Sequence, residues 1–256
     1  MSDTKNTSDN YRIGFVIAHK YYRGYPSYIK YYITNIQKFY KNSYILIVDN
    51  NSTYLEDIQE SLKDIDNTNI QLIVNDSSQK FELGAYNYGI QYLINNDLVN
   101  SFDYVVFAQD TFVLKNKYDF NNLEINNVKA CSLTTYYPDG YLSHIWEPIL
   151  TNLGMCDNLD KMTFCWCVSF ILSKSSIITF HNLTKDAPVT IRVDSEATER
   201  WLARILYHLN NNSNFNIDGD IRHLKYDCHS VNIYDTHPMY YFVKRTQRKT
   251  DTTQDK

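Results

Sequence analysis

The sequence predicts an α/β protein, a single domain with a mainly parallel central sheet and flanking helices, and three observations predict it. Short runs rich in Val, Ile and aromatic residues recur at RIGFVIA (12–18), YILIV (44–48), IQLIV (70–74) and YVVFA (104–108). Between them lie stretches whose apolar residues fall at helical spacing, the alternation that builds parallel β-α-β units. Two of the runs stop abruptly at an acid followed by small polar residues, at Asp49 and Asp110. Ligands of an open parallel sheet bind outside its strand carboxyl ends, so both carboxylates are expected on one edge of one sheet.

In chain order, residues 1–10 carry no large apolar group and are expected to be disordered. The strand 12–18 stops at HKYYRGYP, where Gly24 and Pro26 punctuate a loop. Tyr28, Tyr31, Tyr32, Ile36 and Phe39 then mark an amphipathic helix leading into the strand 44–48. A polar turn and a helix from about Tyr54 to Lys63 precede the strand 70–74. NDSSQKFE is a polar loop, LGAYNYGIQYLI is helical from about Ala85, and the fourth strand ends at Gln109 and Asp110. Beyond it the pattern loosens. Lys129–Thr134 reads as a strand, and TYYPDGYLSHIWEPIL as an aromatic loop too long for a simple connector. TFCWCVSFIL (163–172) reads as a strand with Cys165 and Cys167 on one face, and Asp194–Leu209 as a helix striped by Trp201, Leu202, Ile205 and Leu209. Strand-like segments follow near 221–226 and 239–243, and the tail 244–256 is polar and expected to be mobile. The folded domain thus spans 11–243, with halves at 11–115 and 116–243.

With 256 residues of which 43% are apolar, the chain is long enough for one substantial core. A formal net charge of -4 argues against a general nucleic-acid binder, which needs Lys and Arg clustered over a broad face. No apolar run approaches the length of a membrane-spanning helix, and MSDTKNTSDN has no apolar signal core, so a cytoplasmic location is expected. Five cysteines, an odd number in a chain this large, suit reduced thiols better than a disulfide framework. Cys165 and Cys167 have no second pair for a metal, which assigns them to packing.

Four segments resemble the GT-A glycosyltransferases, family 2-like enzymes that use nucleotide sugars: IGFVIAHKYYRGYPSYIKYYITNI, VDNNST, LGAYNYGI and FAQDTFVL. The resemblance covers roughly residues 12–115 and implies a single GT-A, Rossmann-like domain. It implies that Ala18 and His19 help cradle the base, that Asp49 contacts it, and that Lys80 meets the diphosphate. Asp110 stands where the family's metal ligand does, while Ala108 occupies a place where a further acid is usual. Gln109 is suited to a ribose hydroxyl.

A departing nucleoside diphosphate gathers negative charge, which a divalent cation offsets, and the diphosphate itself fills much of that ion's oxygen shell. Mn2+ or Mg2+ is therefore the expected cofactor. A C-terminal histidine is a further ligand in many such enzymes. His223, His229 and His237 are the choices here, and His229 in YDCHS suits the pattern best. Inversion at the anomeric carbon needs a carboxylate to take the acceptor hydroxyl's proton. VDSEATERWLAR resembles the acidic helix start that supplies it, with Glu199 first, Glu196 second and Asp194 third. Acids in a first helical turn also offset the macrodipole, so helix electrostatics is the competing explanation of this cluster. The aromatic loop Tyr136–Trp146 is expected over the acceptor, with Asp139, His144 and Glu147 near its hydroxyls. The expected activity is transfer of a sugar from a nucleotide-diphosphate donor, a UDP-sugar by default with GDP- and dTDP-sugars open, to a hydroxyl acceptor. A nucleotidyltransferase of related fold and a silent sugar-nucleotide-binding module are the competing classes.

Overall fold

The computed structural model describes residues 11–21, 28–136, 142–156, 163–218 and 241–244. Its first half is β1 (Ile13–His19), α1 (Ile29–Phe39), β2 (Tyr44–Asp49), α2 (Leu55–Leu62), β3 (Ile70–Val74), α3 (Phe81–Asn95) and β4 (Tyr104–Gln109). The central sheet has the order β3-β2-β1-β4-β9-β6, where β6 is Ala130–Ser132 and β9 is Phe170–Ser173. The first four strands are parallel; β9 runs antiparallel to both β4 and β6.

Alternation along the strands sorts the core into two layers. Phe15 and Ile17 of β1 and Ile45 and Ile47 of β2 face one side, where α1 covers them with Ile29, Tyr32, Ile33 and Ile36. Val16, Ala18, Leu46 and Val48 face the other, against Leu83, Tyr86, Ile90 and Leu93 of α3. That second layer also takes α6 (Lys174–Thr184) through Ile177 and Phe180, and α7 (Arg192–Leu209) through Trp201, Leu202 and Ile205. The chain moves outward from β1 to β2 and β3, then α3 carries it back to β4 on the opposite side of β1. The reversal of direction falls between β1 and β4, which makes the carboxyl ends of these two strands a topological switch point.

Among the described residues, two short antiparallel pairs lie outside the central sheet. β5 (Phe112–Leu114) pairs antiparallel with β10 (Phe242–Lys244), and β7 (Thr135–Tyr136) pairs antiparallel with β8 (Phe164–Cys165). The backbone N–H groups of Tyr241 and Phe242 donate to the buried Asp218 carboxylate at 2.8 and 2.9 Å, which fastens the start of β10. Burial lifts the Asp218 carboxyl to a pKa of about 7, against the lowering effect of those two donors.

The structure corrects several sequence expectations. TFCWCVSFIL is not one strand: β8 ends at Cys165, a turn occupies Trp166–Val168, and β9 starts at Phe170. Cys167 (φ 53°) and Val168 (φ 50°) are both left-handed there, so Cys165 and Cys167 do not share a strand face. Part of the expected aromatic loop is helix α5 (Ser143–Asn152), whose Trp146 and Leu150 are buried. The internal Pro148 hid its period, because proline is read as a helix breaker. α3 begins at Phe81 rather than near Ala85, α7 begins at Arg192, and α6 went unexpected although Ile177, Phe180, His181 and Thr184 follow helical spacing. Residues 1–10, the segment 221–226, the tail beyond 244, Asp139, His223, His229 and His237 lie outside the described residues. Among the described residues no helix is long and apolar enough to cross a membrane.

Candidate functional site

Strand register places the rim. His19 aligns with Asp49 across β1 and β2, and Ala18 aligns with Gln109 across β1 and β4. The ladder continues one step past the strands, as Asp110 N–H donates to Ala18 O at 2.9 Å and Asn50 N–H to His19 O at 2.8 Å. Asp49 and Asp110 therefore sit on the same edge, two strand spacings or ~10 Å apart in backbone terms, with His19 between them.

Each acid is held in its own way. Asp49 is wholly buried; its Oδ2 accepts the Ser52 N–H at 2.6 Å and its Oδ1 the Ser52 hydroxyl at 2.5 Å. Ser52 Oγ in turn accepts the Tyr21 N–H at 2.8 Å, so this carboxylate fixes the turn after β2 and, through it, the loop after β1. Asp110 is 4% exposed and shares a short hydrogen bond between its Oδ2 and His19 Nδ1, and the Lys20 N–H donates to the same oxygen at 3.2 Å. His19 is 1% exposed, and its Nε2 is buried with no hydrogen-bond partner among the described residues. A buried ring nitrogen without a partner is disfavoured by about 1–3 kcal/mol, so a ligand that reached it would recover that loss.

Residues that sequence reasoning missed line the same rim. Lys20 Nζ donates to Asn50 O and Asn51 O, both at 2.9 Å, and so brings an ammonium across from β1 to the end of β2. Asn75 Nδ2 bridges Asn50 Oδ1 and Gln79 O, while Asn50 Nδ2 donates to Phe81 O at 2.9 Å, tying the end of β2 to the start of α3. Lys80, expected at a diphosphate, lies at the N-terminus of α3 and turns its Nζ onto Ser77 O at 2.7 Å. The polar residue types of NDSSQK signalled a loop; nothing local signalled these long-range bonds.

Glu82 in the first turn of α3 joins β4 to α7. Its Oε1 accepts Gln109 Nε2 at 2.7 Å and its Oε2 accepts Ser195 Oγ at 2.8 Å. Gln109 Nε2 also donates to Cys167 O at 3.1 Å, and Gln109 Oε1 accepts the Thr111 hydroxyl at 3.1 Å. Burial, with the Glu82 carboxylate as the next contributor, holds the Tyr86 phenol well above its usual pKa.

The acids of α7 separate by environment. Asp194 caps the helix, accepting the N–H groups of Thr190 and Ile191 at 3.0 and 3.1 Å. Glu196 is exposed enough to pair with Arg192 at 3.0 Å across one helical turn. Glu199 faces inward: its Oε1 accepts the Cys167 N–H at 2.8 Å, and its Oε2 lies 3.8 Å from Arg200. His144 and Glu147 are both exposed on α5. Cys165 is buried, with its thiol donating to Ser169 O, and burial pushes that thiol's pKa up, consistent with packing.

No family model matches the sequence. No curated protein matches it either. Solved structures do. Glucosyl-3-phosphoglycerate synthase of M. tuberculosis is similar at a TM-score of 0.50 and 12% identity, over 82% of this chain and 70% of that one. The fold is GT-A-like. The same synthase in complex with Mn2+, uridine diphosphate and phosphoglyceric acid matches at a TM-score of 0.48 and 11% identity, over 83% of this chain and 69% of that one. 4-Diphosphocytidyl-2C-methyl-D-erythritol synthase from Anaerococcus prevotii matches at 0.46 and 12% identity, over 83% of this chain and 88% of that one.

Proposed function

We propose that the chain is a glycosyltransferase that moves a sugar from a nucleotide-diphosphate donor, a UDP-sugar by default, to a hydroxyl acceptor with inversion. The observation that carries this reading is the strand register, which brings His19, Asp49 and the Gln109–Asp110 step to one carboxyl edge at the sheet's switch point. In a GT-A-like fold that edge is where a nucleotide belongs. On this reading Ala18 and His19 border the nucleotide, and the turn that Asp49 closes shapes its pocket. Lys20 and Lys80 stand beside the diphosphate, each needing to exchange a backbone carbonyl for a phosphate oxygen.

Among the described residues no group of three or more His, Cys, Asp or Glu gathers to hold a metal ion. Asp110 offers a hard carboxylate at the switch point, which fits an ion whose remaining ligands are diphosphate oxygens and water. Bound there, Mn2+ or Mg2+ would offset the charge of the departing diphosphate. His229, the second proposed ligand, lies outside the described residues.

Glu199, held by the Cys167 N–H beside the residue whose carbonyl Gln109 binds, takes the role of base, receiving the acceptor's proton as that oxygen attacks. Glu196, already paired with Arg192 on the exposed side, is second. The test is to incubate the protein with Mn2+ and a panel of UDP-, GDP- and dTDP-sugars and follow slow release of free sugar and nucleoside diphosphate in water. Release that requires Mn2+ and Glu199 supports the reading. Pyrophosphate formation from a nucleoside triphosphate and a sugar 1-phosphate would replace it with nucleotidyl transfer, and tight binding without turnover would replace it with a binding module.

A further inference from the structure

Gln109 has no amide hydrogen left for a nucleotide. Its two N–H bonds go to Glu82 Oε1 and Cys167 O, and its Oε1 accepts from Thr111. The reversed amide would set its oxygen against two acceptors, so chemistry fixes the orientation. The bonds close a ring. Gln109 reaches Glu82, Glu82 reaches Ser195, Ser195 and Glu199 stand one turn apart on α7, Glu199 accepts the Cys167 N–H, and Cys167 O returns to Gln109. Within the ring lies the turn where Cys167 and the β-branched Val168 are both left-handed. Such geometry persists only where surrounding bonds over-determine it. Gln109 from β4, Glu199 from α7 and the Ser169 hydroxyl, which also donates to Cys167 O at 3.1 Å, supply those bonds.

We infer that Gln109 is a positioning residue: by holding the Cys167 carbonyl it fixes that residue's backbone, and with it the Cys167 N–H that holds the Glu199 carboxylate, and it offers no amide hydrogen to the donor's ribose. The inference rests on the role given to Glu199 above. It makes the strained turn the link between the donor edge and the base: β4 sets Gln109, Gln109 sets the Cys167 carbonyl, and the N–H on the other side of the same Cα sets the carboxylate. Glu82 and Ser195 complete the same frame from α3 and α7, so a side chain beside Asp110 governs geometry on another helix.

The experiment uses the full chain and Gln109→Met, which keeps length and volume but forms none of these bonds. Hydrogen exchange followed by mass spectrometry should show faster exchange over 163–173 in the variant, with the sheet strands β1 and β2 unchanged. With the sugar nucleotide that the wild-type protein hydrolyses, kcat should fall on the order of 10²-fold while KM and the affinity for UDP stay within about twofold. The double variant Gln109→Met/Glu199→Gln should lose no more than Glu199→Gln alone, because both changes act on one group. Weakened UDP binding with kcat intact would instead make Gln109 a ribose contact, and additive losses in the double variant would make its effect general destabilisation; either overturns the inference. If the wild-type protein hydrolyses no sugar nucleotide, the reading of Glu199 as base fails by itself. The exchange measurement then still decides whether Gln109 holds the turn, and an unchanged 163–173 segment refutes that.

Discussion

Gly84→Ala is the substitution whose consequence the structure fixes most closely. A Cβ added at Gly84 would lie 2.5 Å from the carbonyl carbon of Gln79 and 2.6 Å from its oxygen. Non-bonded carbons rest at about 3.5–4.0 Å, so something must move by roughly 1 Å. The obstacle is backbone, and it is pinned: Gln79 O accepts Asn75 Nδ2 at 3.0 Å and Ser77 Oγ at 3.2 Å, and the next residue's N–H donates to Val189 O at 2.8 Å. Overpacking of this kind costs about 1–3 kcal/mol, and one or two disturbed hydrogen bonds add about 1 kcal/mol each. The better helix propensity of alanine returns about 1 kcal/mol, leaving a net loss of about 1–4 kcal/mol by these rules. Gly89→Ala is the internal control. Its Cβ would meet the ends of Val16 and Val48 side chains at 2.8 and 3.1 Å, which can turn or shift, so its loss should be about 0–2 kcal/mol. Urea unfolding of wild type and both variants measures this, with a constant m-value certifying that the midpoints report stability. A Gly84→Ala protein as stable as wild type, or less affected than Gly89→Ala, would refute the reasoning that the glycine is required by a backbone approach.

Three further outcomes follow from the same structure. Glu199→Gln keeps an oxygen for the Cys167 N–H but removes the base, so sugar-nucleotide turnover should fall about 10²–10⁴-fold with UDP affinity unchanged, and calorimetry beside a turnover assay checks both; retained turnover would transfer the role to Glu196. Asp218 has a folded pKa raised to about 7 from an ordinary 3.8, so its stabilising contribution is complete below pH 4 and is lost as the pH rises through 7, by on the order of 4 kcal/mol in all. Thermal unfolding from pH 4 to 8 should show that slope in wild type and lose it in Asp218→Asn. Brief alkylation of the native protein should label Cys156, which is exposed, and leave the buried Cys131 and Cys165 unmodified until urea is added; mass spectrometry of the peptides reads this directly.

The sheet's first half was legible because β1, β2 and β4 are buried on both faces and so read as unbroken apolar runs, while α1 and α3 interrupt them with a different period. The edge shared by Asp49 and Asp110 followed from those runs alone. What lay hidden was the partner of each acid. Asp110 meets His19 across 91 residues of chain, Glu82 meets Ser195 across 113, and no local pattern marks either contact. Gly84, Asn87 and Gly89 show the converse. Their spacing resembles a family signature, and each position also has a packing reason: a backbone approach at Gly84, a buried exchange of hydrogen bonds between Asn87 and Thr184, and contact with two valines at Gly89.

The broken strand at 163–172 shows why composition was silent about the turn at Cys167 and Val168. Ten residues of TFCWCVSFIL are apolar or small, and nothing in their order marks Cys167 and Val168 as left-handed. Local preference there favours extended backbone, since β-branched and aromatic residues suit strands. Gln109, Glu199 and Ser169 hold the two peptide groups that flank the Cys167 Cα, Glu199 through the N–H and the other two through the carbonyl, and they arrive from β4, α7 and the residue before β9. A segment whose local preference is overridden by distant polar partners is where function and fold compete. Here the override does one definable thing: it turns the Cys167 N–H toward Glu199 of α7. The same argument separates the three acids of that helix. Asp194 is accounted for as a cap and Glu196 as half of a surface pair, whereas Glu199 accepts the N–H of a left-handed residue.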